Sequence, residues 1–383
     1  MLLRYELKKL LNKRLNRILL AAALLLAVVF SCFAVRSFIF LDSNGDGHSG
    51  FFAARSIVAD KNQWKGELTP EKFSESIRQS HHDWQSTSDI TYLASAMLVG
   101  EFHDYDDQDY SYHAKPEQVA SIYDAYLNNL RKICSEYGKS SEKKKFLERK
   151  YGKIHTPFNY EAFDSWETMF LYVTTYGIVL VLIIGFLTAG IFSEEFQYRT
   201  DSVFFSTRYG RGKAIHTKIQ AGLITATLVY AVDISVLSAI CFGIMGISGA
   251  SASYLLSKPY TLYHVSFGQM YAIVVFGGYV ASLLSASVSM LISSKTKTMS
   301  VAVCIPFVLF CVSPFIGRVM PFHTFFTLTP DQLTNIMNCA KIPDIYQIGS
   351  FVFRQIPFLI IFYGLISILM LPLVYQTYYK VNM

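Results

Sequence analysis

Six stretches of the chain hold about twenty or more mostly apolar residues each, at 18–40, 168–192, 218–246, 268–292, 299–317 and 355–378. A bilayer core about 30 Å thick takes about 20 helical residues to cross, so each stretch predicts a membrane-spanning helix. Their spacing is uneven. The first stands alone near the N-terminus, a long polar segment (41–165) follows, and five then come in succession. The pattern is weakest around 299–317 and 321–354, where Pro306, Pro314 and Pro321 interrupt it.

The polar parts are patterned too. In 3–17, Leu3, Leu7, Leu10, Leu11 and Leu15 recur at helical spacing with bases between them. That predicts an amphipathic helix lying on a membrane surface. In 41–165, Thr69-Pro70-Glu71 reads as a helix start, with a capping threonine, proline at the first position and an acid in the first turn. Helices are predicted from there to about Trp84, over 88–100, over 116–137 and over 141–151. The segment 318–354 mixes apolar and polar residues and is expected to lie against or dip into the outer leaflet. The fold class expected is an all-α membrane protein of six transmembrane helices with an inserted, mainly helical extracellular domain. Its parts are a cytoplasmic surface helix (1–17), a first span (18–40), the extracellular domain (41–165) and five further spans in 166–383. That last part includes a cytoplasmic loop (193–218) and an outer segment (318–354).

Charge supplies the orientation. Short loops rich in Lys and Arg stay in the cytoplasm. The first 17 residues hold six bases (Arg4, Lys8, Lys9, Lys13, Arg14, Arg17) against Glu6. The loop after the second span holds Arg199, Arg208, Arg211, Lys213 and Lys218, and Lys295 and Lys297 precede the fifth. All three segments fall on one side if both termini are inside. The segment 41–165 has net charge −5 and the rest of the chain +11, so the overall +6 is mainly a topology signal. Only 16% of residues are charged, against about a quarter in soluble proteins. Nucleic-acid binding is excluded, because it needs basic faces on soluble domains. The 23-residue first apolar stretch exceeds the roughly 7–15 residues of a cleaved signal peptide. Val29-Phe30-Ser31-Cys32 faintly resembles a lipoprotein box, and a membrane-buried Cys32 is the preferred reading. Four of the six cysteines sit in spans. Cys134 and Cys339 both fall outside, where a disulfide stays open. No CxxC pair or His/Cys cluster points to a metal.

The most informative stretch is 193–218, SEEFQYRTDSVFFSTRYGRGKAIHTK. Glu194 and Glu195 sit one helical turn from Arg199. An apolar piece (Val203, Phe204, Phe205) follows, then a basic turn from Arg208 to Lys213. An apolar patch on a cytoplasmic loop suits docking into a partner; the plainer alternative is a solvated charged loop. The stretch resembles the corresponding loop of type-2 ABC exporter permeases. Glu194, Glu195, Arg199, Thr200, Ser206, Thr207, Gly210, Arg211 and Lys218 match that family's motif in order. The resemblance implies that this loop is the coupling helix, that Val203 to Thr207 touch an ABC ATP-binding subunit, and that Glu194 helps hold the loop. The ELKKLL helix before the first span and the lysine-bearing tail YYKVNM also resemble the family. The segments DSNGDGHSGFFA, GELTPEKF and PFNYEAFDSW resemble its Gram-positive form with a large outer domain. The resemblance implies a multi-pass bacterial cell-membrane protein, a second permease (homodimer or sister chain), and ATP and magnesium bound in the partner rather than in this chain. GRGKA at 210–214 lacks the G-x-x-x-x-G-K-[ST] spacing that cradles phosphates.

Rival and additional readings remain. EEFQYR also fits the first motif of CAAX-protease-like intramembrane peptidases, in which Glu194 or Glu195 would activate water, but His216, His264 and His323 lack the companion contexts. A third class is a sensor or resistance module binding an antimicrobial peptide. The acidic, aromatic stretch with Asp104, Tyr105, Asp106, Asp107, Asp109 and Tyr110 is the candidate contact for a cationic peptide, against a solvated loop. Asp42 to Gly47 resembles a calcium-loop opening, but the twelfth position is Ala53, which favours a simple turn. Asp233, inside the third span, is a candidate for the pathway or for pairing with a polar neighbour in a dimer. The preferred expectation is a permease subunit exporting a peptide-like or amphipathic substrate, with no catalysis of its own.

Overall fold

The computed structural model describes residues 2–42, 45–100, 113–207, 210, 212–319 and 323–380. The chain opens with α1 (Leu2–Asn12) and α2 (Arg14–Arg36). A layer of shorter elements follows: β1 (Ile39–Leu41), β2 (Gly47–Ser49), α3 (Phe51–Lys61), β3 (Gly66–Glu67), α4 (Pro70–Ser80), α5 (Trp84–Val99), α6 (Pro116–Ala120), α7 (Ile122–Tyr137), α8 (Ser141–Tyr151) and β4 (Asn159–Tyr160). Next come α9 (Asp164–Gln197), the short α10 (Asp201–Ser206), α11 (Lys213–Met245) and α12 (Phe267–Thr296). Then α13 (Met299–Phe307) runs through a π-helical turn (Val308–Val312) into α14 (Ser313–Val319). The chain closes with α15 (Ile336–Lys341), β5 (Ile345–Ile348), β6 (Phe351–Arg354) and α16 (Gln355–Tyr379).

Among the described residues, six helices are long and apolar enough to cross a membrane: α2, α9, α11, α12, the broken helix Met299–Ile316, and α16. This is the architecture of a multi-pass membrane protein. Within it, α12 is the centre. It is 72% buried over its most apolar window, against 17% for both Met299–Ile316 and α16, so the last two turn most of their surface outward. Small side chains allow helices to approach in a bilayer. At Gly185 of α9, an added Cβ would stand 2.7 Å from Ser285 Oγ on α12 and 3.1 Å from Pro306 Cγ on α13.

The layer between α2 and α9 packs on one end of the bundle. Tyrosine hydroxyls fasten it: Tyr126 Oη donates to Pro259 O at 2.6 Å and Tyr151 Oη to Tyr260 O at 2.8 Å, while Tyr260 Oη donates to Ala96 O at 2.8 Å. A buried ion triad adds to this. Lys61 Nζ lies 2.6 Å from Asp89 Oδ1 and 2.5 Å from Asp164 Oδ1, the latter in the first turn of α9. Burial lowers the Lys61 pKa, but Asp164 and Asp89 outweigh it and hold the ammonium above its usual pKa.

Local chemistry explains the boundaries. Thr69 Oγ1 accepts from Lys72 N and Pro70 occupies the first helical position, as the sequence predicts. Gly100, at φ 79°, ends α5 in the left-handed conformation. The helix expected over 116–137 is two helices, broken at Ser121. The described residues are mostly helical, as expected, with three short two-stranded antiparallel pairs among them, β1–β2, β3–β4 and β5–β6. The last lies inside 318–354, where Gly349, at φ 61°, turns the strands. The β1–β2 turn is held by Asp42, whose Oδ1 accepts from Asp46 N and whose Oδ2 lies 3.0 Å from His48 Nε2. Cys134 and Cys339 are each buried and free, so no disulfide joins them.

Candidate functional site

The end of the bundle opposite the layer gathers the basic segments of the sequence. α1, the last turn of α9, α10, the start of α11 and the end of α16 meet there around an apolar cluster that includes Leu10, Ile191, Phe192, Phe205, Ile215 and Tyr378. Lys297, after α12, reaches the same place, with Nζ 4.9 Å from the Phe196 ring centroid.

Within this cluster sits a cage of charges. Glu195 Oε1 accepts from Lys9 Nζ at 2.9 Å and from Lys218 Nζ at 2.7 Å, and Oε2 accepts from Tyr378 Oη at 3.3 Å. Glu194 pairs with Lys13, and its Oε2 lies 3.6 Å from Lys9 Nζ. Lys218 also donates to Ile191 O at 3.1 Å and stands 3.5 Å from Glu6 Oε2. Three lysines thus face three glutamates. Lys218 is 1% exposed, and a buried charge of this kind is tolerated only when paired and hydrogen-bonded. The cage ties α1 and the tail of α16 to the helices on either side of α10.

The loop itself is shaped by its backbone. Arg199 adopts φ 54°, which ends α9. Thr200 N then bonds back to Glu195 O at 2.8 Å, and Thr200 O accepts from Phe204 N at 2.9 Å to start α10. The turn after α10 closes with Gly210 N donating to Thr207 O at 3.1 Å. A Cβ on Gly210 would collide with Phe204 O, so this turn takes glycine.

The expected site residues separate into two sets. Glu194 and Glu195 turn inward to lysines, whereas Arg199 and Thr200 are exposed. Arg199 stands one turn from the acids in sequence but outside the helix, because α9 ends before it. Val203 is 66% exposed, and Ser206 and Thr207 are exposed beside it. Phe205 is 7% exposed, packed on Phe196 and Tyr378, and Phe204 lies between, with Lys218 Nζ 5.4 Å from its ring centroid. Arg208 and Arg211 lie outside the described residues, as do Asp104, Tyr105, Asp106, Asp107, Asp109 and Tyr110. Asp233 is 2% exposed and accepts from Tyr176 Oη at 2.7 Å, a hydroxyl that also lies 2.8 Å from Ala23 O of α2. Asp233 therefore finds its polar partner within the chain. Among the described residues no group of three or more His, Cys, Asp or Glu is placed to hold a metal.

Sequence reasoning did not single out Lys9 and Lys13 as partners of the acid pair, nor the Lys61–Asp89–Asp164 triad. One signal for the triad was present, since Asp164 stands immediately before an apolar run, where a helix N-terminus favours an acid. Comparison of the chain with family models, with curated proteins and with solved structures gives no match.

Proposed function

We propose that the chain is the permease half of an ATP-driven exporter, with α10 as the element that docks on a separate ATP-binding subunit. The observation that carries this reading is the contrast within α10: one face (Phe205) is locked into the bundle while Val203, Ser206 and Thr207 stay exposed. An exposed apolar residue on a short helix whose root is clamped by buried ion pairs is suited to receive a partner's motion and pass it to α9 and α11. The order of residues through 193–218, which resembles the coupling loop of type-2 ABC exporter permeases, points the same way. The positive-inside rule places the cage end in the cytoplasm and the layer outside. The outward-facing apolar surfaces of α14 and α16, including Phe315, Ile361, Ile368 and Leu369, face lipid or a second permease. Peptidase chemistry is disfavoured. Glu195 already accepts three hydrogen bonds, and a carboxylate so occupied is a poor base for activating water.

Val203→Asp tests the reading directly. Desolvating an unpaired charge at an interface is expensive. The variant is expected to insert and melt like the parent in detergent, but to lose co-purification with its ATP-binding subunit and any stimulation of ATP hydrolysis. Undiminished co-purification would remove α10 from the contact. Peptide cleavage by the purified chain alone, abolished by Glu195→Gln, would replace the permease reading with the peptidase one.

A further inference from the structure

Near the other end of the bundle a cavity of about 770 Å³ opens between α9, the π-helical turn with α14, and the segment leading into α15. Its size falls within the roughly 300–1,000 Å³ of small-molecule sites. The lining is mixed: Phe170 and Leu171 on α9 and Phe310 and Phe315 supply an apolar surface, and Glu167, Lys258 and Lys341, each with an interaction of its own, also line it. The helix opposite α9 is π-wound where it lines the cavity, an irregularity found often at functional sites.

Two buried polar atoms in this lining have no hydrogen-bond partner. Asp331 is 3% exposed; the Thr329 and Ser313 hydroxyls and its own backbone N–H lean toward the carboxyl, and Oδ2 accepts from Gln332 Nε2 at 2.9 Å, while Oδ1 has no donor in hydrogen-bonding geometry. The hydroxyl of Thr174, on the α9 wall, is buried and unpartnered as well. A buried acceptor without a donor is costly. Burial also holds the Asp331 carboxyl above the usual carboxylate range, a shift that a cation at Oδ1 would reverse. The lysines and Glu167 in the lining have interactions of their own, whereas Asp331 Oδ1 is an unfilled acceptor, so the trough suits a molecule with an apolar body and a donor head.

We propose that this cavity binds an amphipath carrying a primary ammonium, the head donating to Asp331 Oδ1 and the apolar body lying along Phe170, Leu171, Phe310 and Phe315. A fatty acid would bring its charge against Asp331. A neutral alcohol could donate to the carboxylate but would lack the charge–charge attraction that an ammonium adds at the same distance. The site stands apart from the transport reading, because binding needs no ATP-binding subunit.

The test uses the full chain in discs of phosphatidylcholine, which has no primary amine. The probe is dodecylamine with a diazirine on its chain, compared with the matching dodecanol and dodecanoic acid probes, and the labelled peptides are mapped by mass spectrometry. The amine probe is expected to label the segments holding Phe170, Phe310 and Asp331 saturably, with the alcohol and the acid weaker. Asp331→Asn, which keeps the shape and removes the charge, is expected to lower amine affinity about tenfold, the worth of one hydrogen bond to a charged group. Leu171→Trp, at a position 63% exposed, is expected to block labelling by filling the trough without touching the acid. Equal labelling by the alcohol, amine affinity unchanged in Asp331→Asn, or labelling unaffected by Leu171→Trp would overturn the site. Adding phosphatidylethanolamine identifies the source of the ligand in the native membrane: competition makes it a bilayer lipid, and persistence of labelling makes it a free amphipath.

Discussion

At the scale of single residues, Lys218 and Glu195 show how a span can hold charge. Lys218 alone contacts two carboxylates and a backbone carbonyl. Removing one partner of a buried pair leaves the other uncompensated, at about 3–5 kcal/mol. Lys218→Met is expected near the lower end, since Lys9 and Tyr378 still face Glu195. The double variant Lys218→Met, Glu195→Gln should lose clearly less than the sum of the two single losses. Thermal unfolding of the four proteins in detergent checks this, and strict additivity would show that the two residues do not interact. The sequence showed the acid pair and the lysine as matching positions, but not what surrounds them. Helical spacing offers only neighbours three or four residues away, whereas Lys9 lies 186 positions from Glu195. Residues that meet across the bundle leave no trace in local periodicity.

At the scale of elements, the apolar runs located all six long helices, because a segment that must satisfy its backbone within itself has few alternatives. Caps were legible for the same local reason, as Thr69 shows. The breaks were less so. The hairpin β5–β6 was concealed by its composition: Ile345–Ile348 and Phe351–Arg354 are apolar enough to read as a membrane-surface segment, although Gly349-Ser350 between them was a turn signal. Packing between spans was legible only as scattered small residues. Gly185 is one whose smallness the structure requires. Gly185→Leu would drive a branched side chain into Ser285 and Pro306, where a Cβ alone already lies within 2.7 and 3.1 Å. Overpacking of this kind costs about 1–3 kcal/mol. Expected results are a lower melting temperature in detergent for Gly185→Leu and little change for Gly364→Leu, because the Gly364 position in α16 has open space. Equal effects at the two positions would show that α9 and α12 do not pack as described.

At the scale of the whole molecule, charge asymmetry foretold that the N-terminal helix, the loop after α9 and the turn after α12 share a side, and the three do gather at one end. Which side faces the cytoplasm is tested by single cysteines in a background lacking the six native ones. Ser135→Cys in α7 and Ser206→Cys in α10 are both at exposed positions. An impermeant maleimide added to intact cells is expected to label the first and spare the second; the reverse pattern would invert the topology. A final consequence follows from the length of α9. Asp164 and Glu195 lie 31 residues apart on it, about 46 Å at 1.5 Å per residue, whereas the hydrocarbon of a bilayer is about 30 Å thick. That separation is enough to put the two ion clusters beyond the hydrocarbon on opposite sides of a bilayer, where charge costs far less than at the midplane. A helix free at its ends answers a change in bilayer thickness by tilting. This one is tied at both ends to neighbouring elements, through Lys61 and Lys218, so it cannot tilt alone: any tilt moves the helices and the layer bound to it.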